Sequence, residues 1–231
     1  MAGKKKTAAL KVKKKRWIPV IAPKIFRNLQ VGESHVLEPE NLVGRKMKIN
    51  LMSLTNDIKK QNVLVNLEVT EIKNASAQTK VIGYSMIPAA IKRLVRRNRN
   101  KLDDSFICET ANNVNIRVKP LMLTRNKARS ASTTQLINAN REKVAQYMKK
   151  TNFDTFLTEV ISTRFQRAMK EQLSKIYPLR IYEMRAFKIE TGKIKKSSKV
   201  FVTEDKPPKK EETKESEPVK EVKEEEPQES K

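Results

Sequence analysis

The chain has 231 residues, with 50 Lys and Arg against 26 Asp and Glu, a formal net charge of +24. Self-repulsion on that scale opposes a compact state unless a polyanion neutralises it, which argues for a nucleic-acid partner. One His, one Cys and five Gly leave few parts for a metal site, for His-based catalysis or for a glycine-rich phosphate loop, and a lone Cys excludes an intramolecular disulfide.

In chain order, residues 1–16 form a basic arm in which Lys4, Lys5, Lys6, Lys11, Lys13, Lys14, Lys15 and Arg16 meet no acid. The arm could resemble the start of a secretion signal, but the apolar run behind it is interrupted by Pro19 and closed by Pro23, so no signal peptide is expected. Such an arm is expected to order only against a nucleic-acid groove. Trp17 follows it and could stack on a base; anchoring of the terminus to the core is the favoured reading. His35 sits in a loop-like stretch and by itself supports no metal site.

Residues 46–123 read mostly as strands. Val63, Val65, Leu67 and Val69 alternate with Leu64, Asn66, Glu68 and Thr70, the pattern of a strand with one buried face. Further strand-like runs cover 46–51, 79–84, 105–110 and 114–124, and Ala111-Asn112-Asn113 supplies turn chemistry for a hairpin between the last two. Pro120 suggests an edge or a bend. Cys108 lies inside one of these runs with no His nearby in sequence, and is expected to be a small buried hydrophobe.

One helix is expected to interrupt the strands from Ser85, with Pro88 in its first turn, to about Asn100. On a helical wheel Ile87, Ala90, Ile91, Leu94 and Val95 fall on one side, and Lys92, Arg93, Arg96, Arg97 and Arg99 on the other. Lys101 extends these to six cations with no acid before Asp103. Solvated helix faces usually mix Lys with Glu, so phosphate binding is favoured over a bland solvated face. The apolar side lacks the bulky aromatics of membrane-surface helices. Asp103-Asp104 is read as pairing with the arginines of 96–99 or capping a helix, not as a metal site.

Residues 119–141 interleave Arg125, Lys127, Arg129 and Arg141 with hydroxyl and amide side chains, which suits irregular RNA; an ordinary polar loop is the alternative. Residues 135–150 read as weakly helical and 153–176 as one long helix, with Phe156, Leu157, Val160, Ile161, Phe165, Ala168, Met169, Leu173 and Ile176 at helical spacing. Pro178 breaks it, and 180–189 reads as a final strand. From residue 204 the composition changes to eleven acids and seven lysines with almost no apolar residue, a tail expected to be disordered. The +24 of the whole chain is therefore +28 over residues 1–203 and −4 over residues 204–231. No run of apolar residues is long enough for a transmembrane helix, and a soluble α+β protein is expected, with a barrel-like antiparallel body over 17–200 that is β-rich over 40–124 and helical over 135–177.

Several strings together carry a resemblance: Arg16-Trp17-Ile18-Pro19-Val20-Ile21-Ala22-Pro23-Lys24-Ile25-Phe26, Gly44-Arg45, Leu51-Met52-Ser53-Leu54-Thr55-Asn56-Asp57, the arginine-rich run through Arg93, Arg96, Arg97 and Lys101, Arg117-Val118-Lys119-Pro120-Leu121-Met122-Leu123-Thr124, and Lys175-Ile176-Tyr177-Pro178-Leu179-Arg180. In this colinear order, over roughly residues 14–195, the chain resembles the small-subunit ribosomal protein family called S-three-Ae, or eukaryotic-type S-one, in wording closer to archaeal members than to animal ones. Where many members have Asp-Gly-Tyr at a hairpin, this chain has Asn112-Asn113-Val114. The resemblance implies a non-enzymatic ribonucleoprotein component without cofactor or metal. It would act in translation on the platform of the cytoplasmic small subunit, as a single copy contacting ribosomal RNA and neighbouring ribosomal proteins.

It also implies RNA contacts at Arg93, Arg96, Arg97, Lys101, Arg125 and Arg129. With the residues read from charge alone, the expected RNA-binding set is Lys13, Lys14, Lys15, Arg16, Lys92, Arg93, Arg96, Arg97, Arg99, Lys101, Arg125, Lys127, Arg129 and Arg141. A chromatin-type DNA-binding protein is the rival reading, although no helix-turn-helix, zinc-finger or basic-zipper pattern is present.

Overall fold

The alternation of 63–69 does what it dictates: Val63, Val65, Leu67 and Val69 are all buried, on a long strand whose partner turns back immediately. In the computed structural model, which describes residues 14–191, the elements in chain order are β1 (Arg16–Ile21), β2 (Gln30–Val36), β3 (Lys46–Asn50), α1 (Leu51–Thr55), β4 (Val63–Lys73), β5 (Ser76–Met86), α2 (Pro88–Leu94), β6 (Lys101–Asp103), β7 (Phe106–Glu109), β8 (Asn115–Thr124), α3 (Ser130–Lys150), α4 (Phe153–Ile161), α5 (Arg164–Ser174) and β9 (Leu179–Ile189). Residues 1–13 of the arm, Lys13 among them, and the tail 204–231 lie outside the described residues.

The fold is α+β, built on one mixed, mostly antiparallel sheet. β4 and β5 form a hairpin closed by Asn74-Ala75, both at positive φ, as a two-residue turn between right-twisted strands requires. On its other side β5 is shared end to end: β1 pairs parallel with Ala77 and Gln78, and β9 pairs antiparallel with Gly83, Tyr84 and Ser85. Gly83 has no room for a side chain, since a Cβ there would come 2.6 Å from the Phe187 carbonyl oxygen. β9 then carries β8 along its whole length. β8 divides its remaining edge in the same way, between β7 at Asn115 to Val118 and β6 at Leu121 to Leu123.

Pro120 falls between those two partners and at a register shift against β9. It thus marks a bend inside the sheet, not an edge, at a position where a missing N–H leaves no ladder bond unmade on the β6–β7 side. The predicted hairpin of 105–124 is present, with Asn113 at φ 56° in the turn. Cys108 is 2% exposed, and burial pushes its thiol pKa up to about 12, as a packed hydrophobe and not a nucleophile requires.

Several expectations change. β1 and β2 were not foreseen, and His35 lies on β2, not in a loop. Pro19 obscured β1; it pairs with Glu33 of β2, but β5 joins β1 only at Val20 and Ile21, so at Pro19 the strand has an open edge on that side, where a proline is tolerated. The 46–51 strand ends at Asn50, whose side chain accepts from the Met52 N–H at 3.0 Å and caps α1. α3 begins at Ser130, five residues earlier than periodicity suggests, and is the longest helix described.

The long helix expected over 153–176 is two helices. Thr163 takes a left-handed conformation at φ 59° between them, and the Gln166 side-chain amide donates to the Val160 carbonyl at 3.0 Å. The bend lets Phe156, Leu157 and Val160 of α4 and Phe165, Met169 and Leu173 of α5 all stay buried, which one straight helix of that length could not do on a twisted sheet.

The helix expected over 85–100 is the largest departure. It runs only from Pro88 to Leu94; Val95 is already extended and Asn98 is left-handed. The cause lies downstream. Asn100 donates its N–H to Thr124 Oγ1 at 2.9 Å and accepts the Thr124 N–H at 3.1 Å, and Leu102 enters the core from β6. A helix continued to Asn100 could not deliver Leu102 to the edge of β8.

Glu183 is the carboxyl on β9 that the interior half-encloses, and burial raises its pKa. A carboxyl with a raised folded pKa leaves its contribution intact below its unfolded value of about 4 and loses it as pH rises through the folded pKa. Glu183→Gln is therefore expected to match the parent chain near pH 4, to gain relative stability as pH rises through the folded pKa and to hold that gain above it, read from urea denaturation at a series of pH values.

Candidate nucleic-acid interface

Three segments far apart in sequence meet at one end of β6, β8 and β9. Residues 95–100 reach β8 through the Asn100–Thr124 exchange, and the Asn100 side-chain amide donates to the Ala128 carbonyl at 3.1 Å. Residues 125–129 are held by Thr124 Oγ1, which donates to the Asn126 carbonyl at 2.6 Å, and by the Arg125 N–H, which donates to the Pro178 carbonyl at 3.0 Å. The Tyr177 hydroxyl donates to the Lys127 carbonyl at 3.2 Å and ties in residues 175–180. The connections are backbone carbonyls, small polar side chains and one phenol, so the cations of these segments are not consumed in building the frame.

Those cations are Arg96, Arg97 and Arg99 on the first segment, Arg125, Lys127 and Arg129 on the second, and Lys175 and Arg180 on the third, with no acid in any of the three. Arg96, Arg97, Arg125, Lys127, Arg129 and Lys175 are exposed. Arg99 and Arg180 are half-buried, and the Nη1 of each is enclosed without an acceptor among the described residues.

The sequence-predicted residues thus divide. Arg96, Arg97, Arg99, Arg125, Lys127 and Arg129 come together, although the first three do so from a loop and not from a helix face. Lys92 and Arg93 stay on α2, where Arg93 Nη2 donates to Asn62 Oδ1 at 2.9 Å. Lys101 pairs with Asp103, which also meets Arg185 at 3.4 Å. Lys14, Lys15 and Arg16 are exposed at the start of β1, three strands away from β8 in the sheet. Lys175 and Arg180 were missed as site residues, because isolated cations flanking Tyr177-Pro178 gave no charge run to notice.

Arg141 is engaged within the fold. It grips Asp104 with Nε at 2.7 Å and Nη2 at 2.8 Å, so α3 is clamped to the β6–β7 connection, and the Asp104 hydrogen bond raises the arginine's pKa. The Asp103-Asp104 pair therefore serves ion pairing as expected, with Lys101, Arg185 and Arg141 as partners in place of the arginines of 96–99. Asp104→Asn keeps the shape but weakens a two-pronged charged bond whose acid is nearly buried; a loss of about 2 kcal/mol is expected, measured by urea denaturation. The same substitution in an Arg141→Met background should cost much less.

Comparison with known proteins places this architecture. The profile of the Ribosomal S3Ae family matches residues 3–192. The small ribosomal subunit protein eS1 of Nanoarchaeum equitans is 30% identical over 178 residues, covering 77% of this chain and 90% of the relative. The proteins of the same name from Methanothrix thermoacetophila and Saccharolobus islandicus are each 28% identical, covering 83% and 82% of this chain and 91% of each relative. No helix among the described residues is long and apolar enough to cross a membrane. From the match over nearly all of its folded length, the chain belongs to the Ribosomal S3Ae family.

Proposed function

We propose that this protein is a structural constituent of the small ribosomal subunit, bound to ribosomal RNA through backbone phosphates. The observation that carries the reading is the meeting of three acid-free segments at one end of the sheet, where Arg96, Arg97, Arg125, Lys127, Arg129 and Lys175 are exposed. Arg96, Arg97, Arg99, Arg125, Lys127 and Arg129 take phosphates there, joined by Lys175 and Arg180. Charge density of one sign on a preformed frame suits a polyanion of irregular shape, since phosphate contacts fix position while arginines also reach sugar hydroxyls and base edges.

Lys13, Lys14, Lys15 and Arg16, with the rest of the arm, follow RNA from the opposite side, and Lys92 adds a contact on α2. Arg93, Lys101 and Arg141 hold the scaffold through Asn62, Asp103 and Asp104, and touch RNA only with donors those partners leave free. The described body over 17–191 works as a rigid spacer between two basic surfaces. Neighbouring ribosomal proteins cover other faces of a single copy, in the cytoplasmic ribosome, with no catalytic step.

Sucrose-gradient sedimentation tests the reading. Co-migration with the small subunit that resists moderate salt is expected; a protein that stays at the top of the gradient overturns it. Competition between duplex DNA and structured RNA separates it from a chromatin-type role.

A further inference from the structure

Trp17 does not anchor the terminus, as the sequence suggested. It is 65% exposed, while Ile18, Val20, Ser34 and Val36 on the same two strands are buried. β1 and β2 therefore turn one face to the core and the other to solvent, and the antiparallel register sets Trp17 directly opposite His35 on the outer face. The two rings stack with centroids 4.6 Å apart and planes at 23°. An exposed β ribbon gains little from burying one indole face against one imidazole, and the stack leaves the indole largely open to solvent.

We infer that the Trp17–His35 pair is a stacking platform for an unpaired base of single-stranded RNA. The pair holds the indole at a fixed tilt, so a base adds to an already ordered stack instead of ordering a mobile ring. Lys14, Lys15 and Arg16 are exposed on the same strand end and supply the backbone neutralisation that base stacking by itself lacks. Charge complementarity also selects the occupant: three consecutive cations beside one aromatic pair suit a charged polymer that carries flat rings, whereas a protein dock needs a continuous apolar patch. The inference rests on the RNA-binding reading for the class of polymer, but on different residues, since β1 is separated from β8 by β5 and β9.

Trp17 is the only tryptophan, so its fluorescence in the full chain reports this surface alone. The expected result is saturable quenching by single-stranded oligoadenylate, with an abasic oligomer of equal length binding without quenching. Read by filter binding, since these variants hold no tryptophan, Trp17→Leu should weaken oligoadenylate binding about tenfold and leave abasic binding unchanged, and Trp17→Phe should keep most of the affinity. Absent quenching, or equal losses toward both oligomers in Trp17→Leu, overturns the platform. So does a blue shift on adding RNA-free small-subunit proteins when oligoadenylate has no effect, which assigns the surface to a protein neighbour. Charge reversal of Arg97, Lys127 and Arg129 leaves the quenching intact if the two surfaces are independent, so failure of one reading is distinguishable from failure of the other.

Discussion

Phe187→Ala is expected to destabilise the fold by about 4 kcal/mol, the cost of removing a large aromatic side chain from a site that cannot collapse. Phe187 is 1% exposed on β9 and joins elements that would otherwise meet at few points. It stacks on Tyr84 of β5 at 5.2 Å with planes 4° apart, and meets Phe153 at 6.1 Å edge-on and Phe156 of α4 at 5.2 Å. Its backbone carbonyl also lies against Gly83, which locks the crossing of β5 and β9 and prevents the sheet from closing over the hole. Urea denaturation followed by far-ultraviolet circular dichroism checks it: the midpoint should fall sharply with little change in slope. A loss under about 1 kcal/mol would mean that the aromatic cluster does not bind helices to sheet.

Reversal of Arg97, Lys127 and Arg129 to Glu is expected to lower affinity for small-subunit ribosomal RNA by at least ~100-fold near 0.1 M salt. The slope of log affinity against log salt should flatten by about 2 to 3, as three phosphate contacts are lost. The frame survives, because it is built from Asn100, Thr124, Tyr177 and backbone carbonyls and not from these three side chains. Lys24, Lys48 and Lys80, all exposed and on other parts of the fold, provide a control with the same change in net charge. Equal losses in the control would trace binding to total charge and not to the three converging segments. The measurement is filter binding across a salt series.

Much of the fold is legible in the residues. β4, the hairpin of β7 and β8, and β9 follow from alternation and turn chemistry, because a strand with one buried face writes its period into the chain. The helical stretches fail at their ends for a shared reason. Arginine-rich 95–100 and residues 162–163 both read as helix locally, yet the first is pulled into the sheet by Thr124 and the second is bent so that Phe156 and Phe165 can both be buried. Each override comes from a partner more than a helical turn away in sequence, where a periodicity argument has no information.

The candidate site divides along the same line. Counting Arg and Lys picks out 92–101 and 125–141, but cannot tell Arg97, which is exposed, from Arg141, which is spent on Asp104 37 residues away. Nor can it place Lys175 and Arg180 beside either group.

By itself the sequence determined the α+β class, the excess of +28 ahead of an acidic tail, the poverty of catalytic parts and, through its colinear strings, the family. These are sums over composition or local patterns, and they survive whatever the loops do. Only the tertiary structure decided which cations share a surface. That depends on the register of β8 between β6, β7 and β9, which brings Asn100, Ala128 and Pro178 within hydrogen-bond reach of one another's segments, and long-range register is set by packing of the whole core.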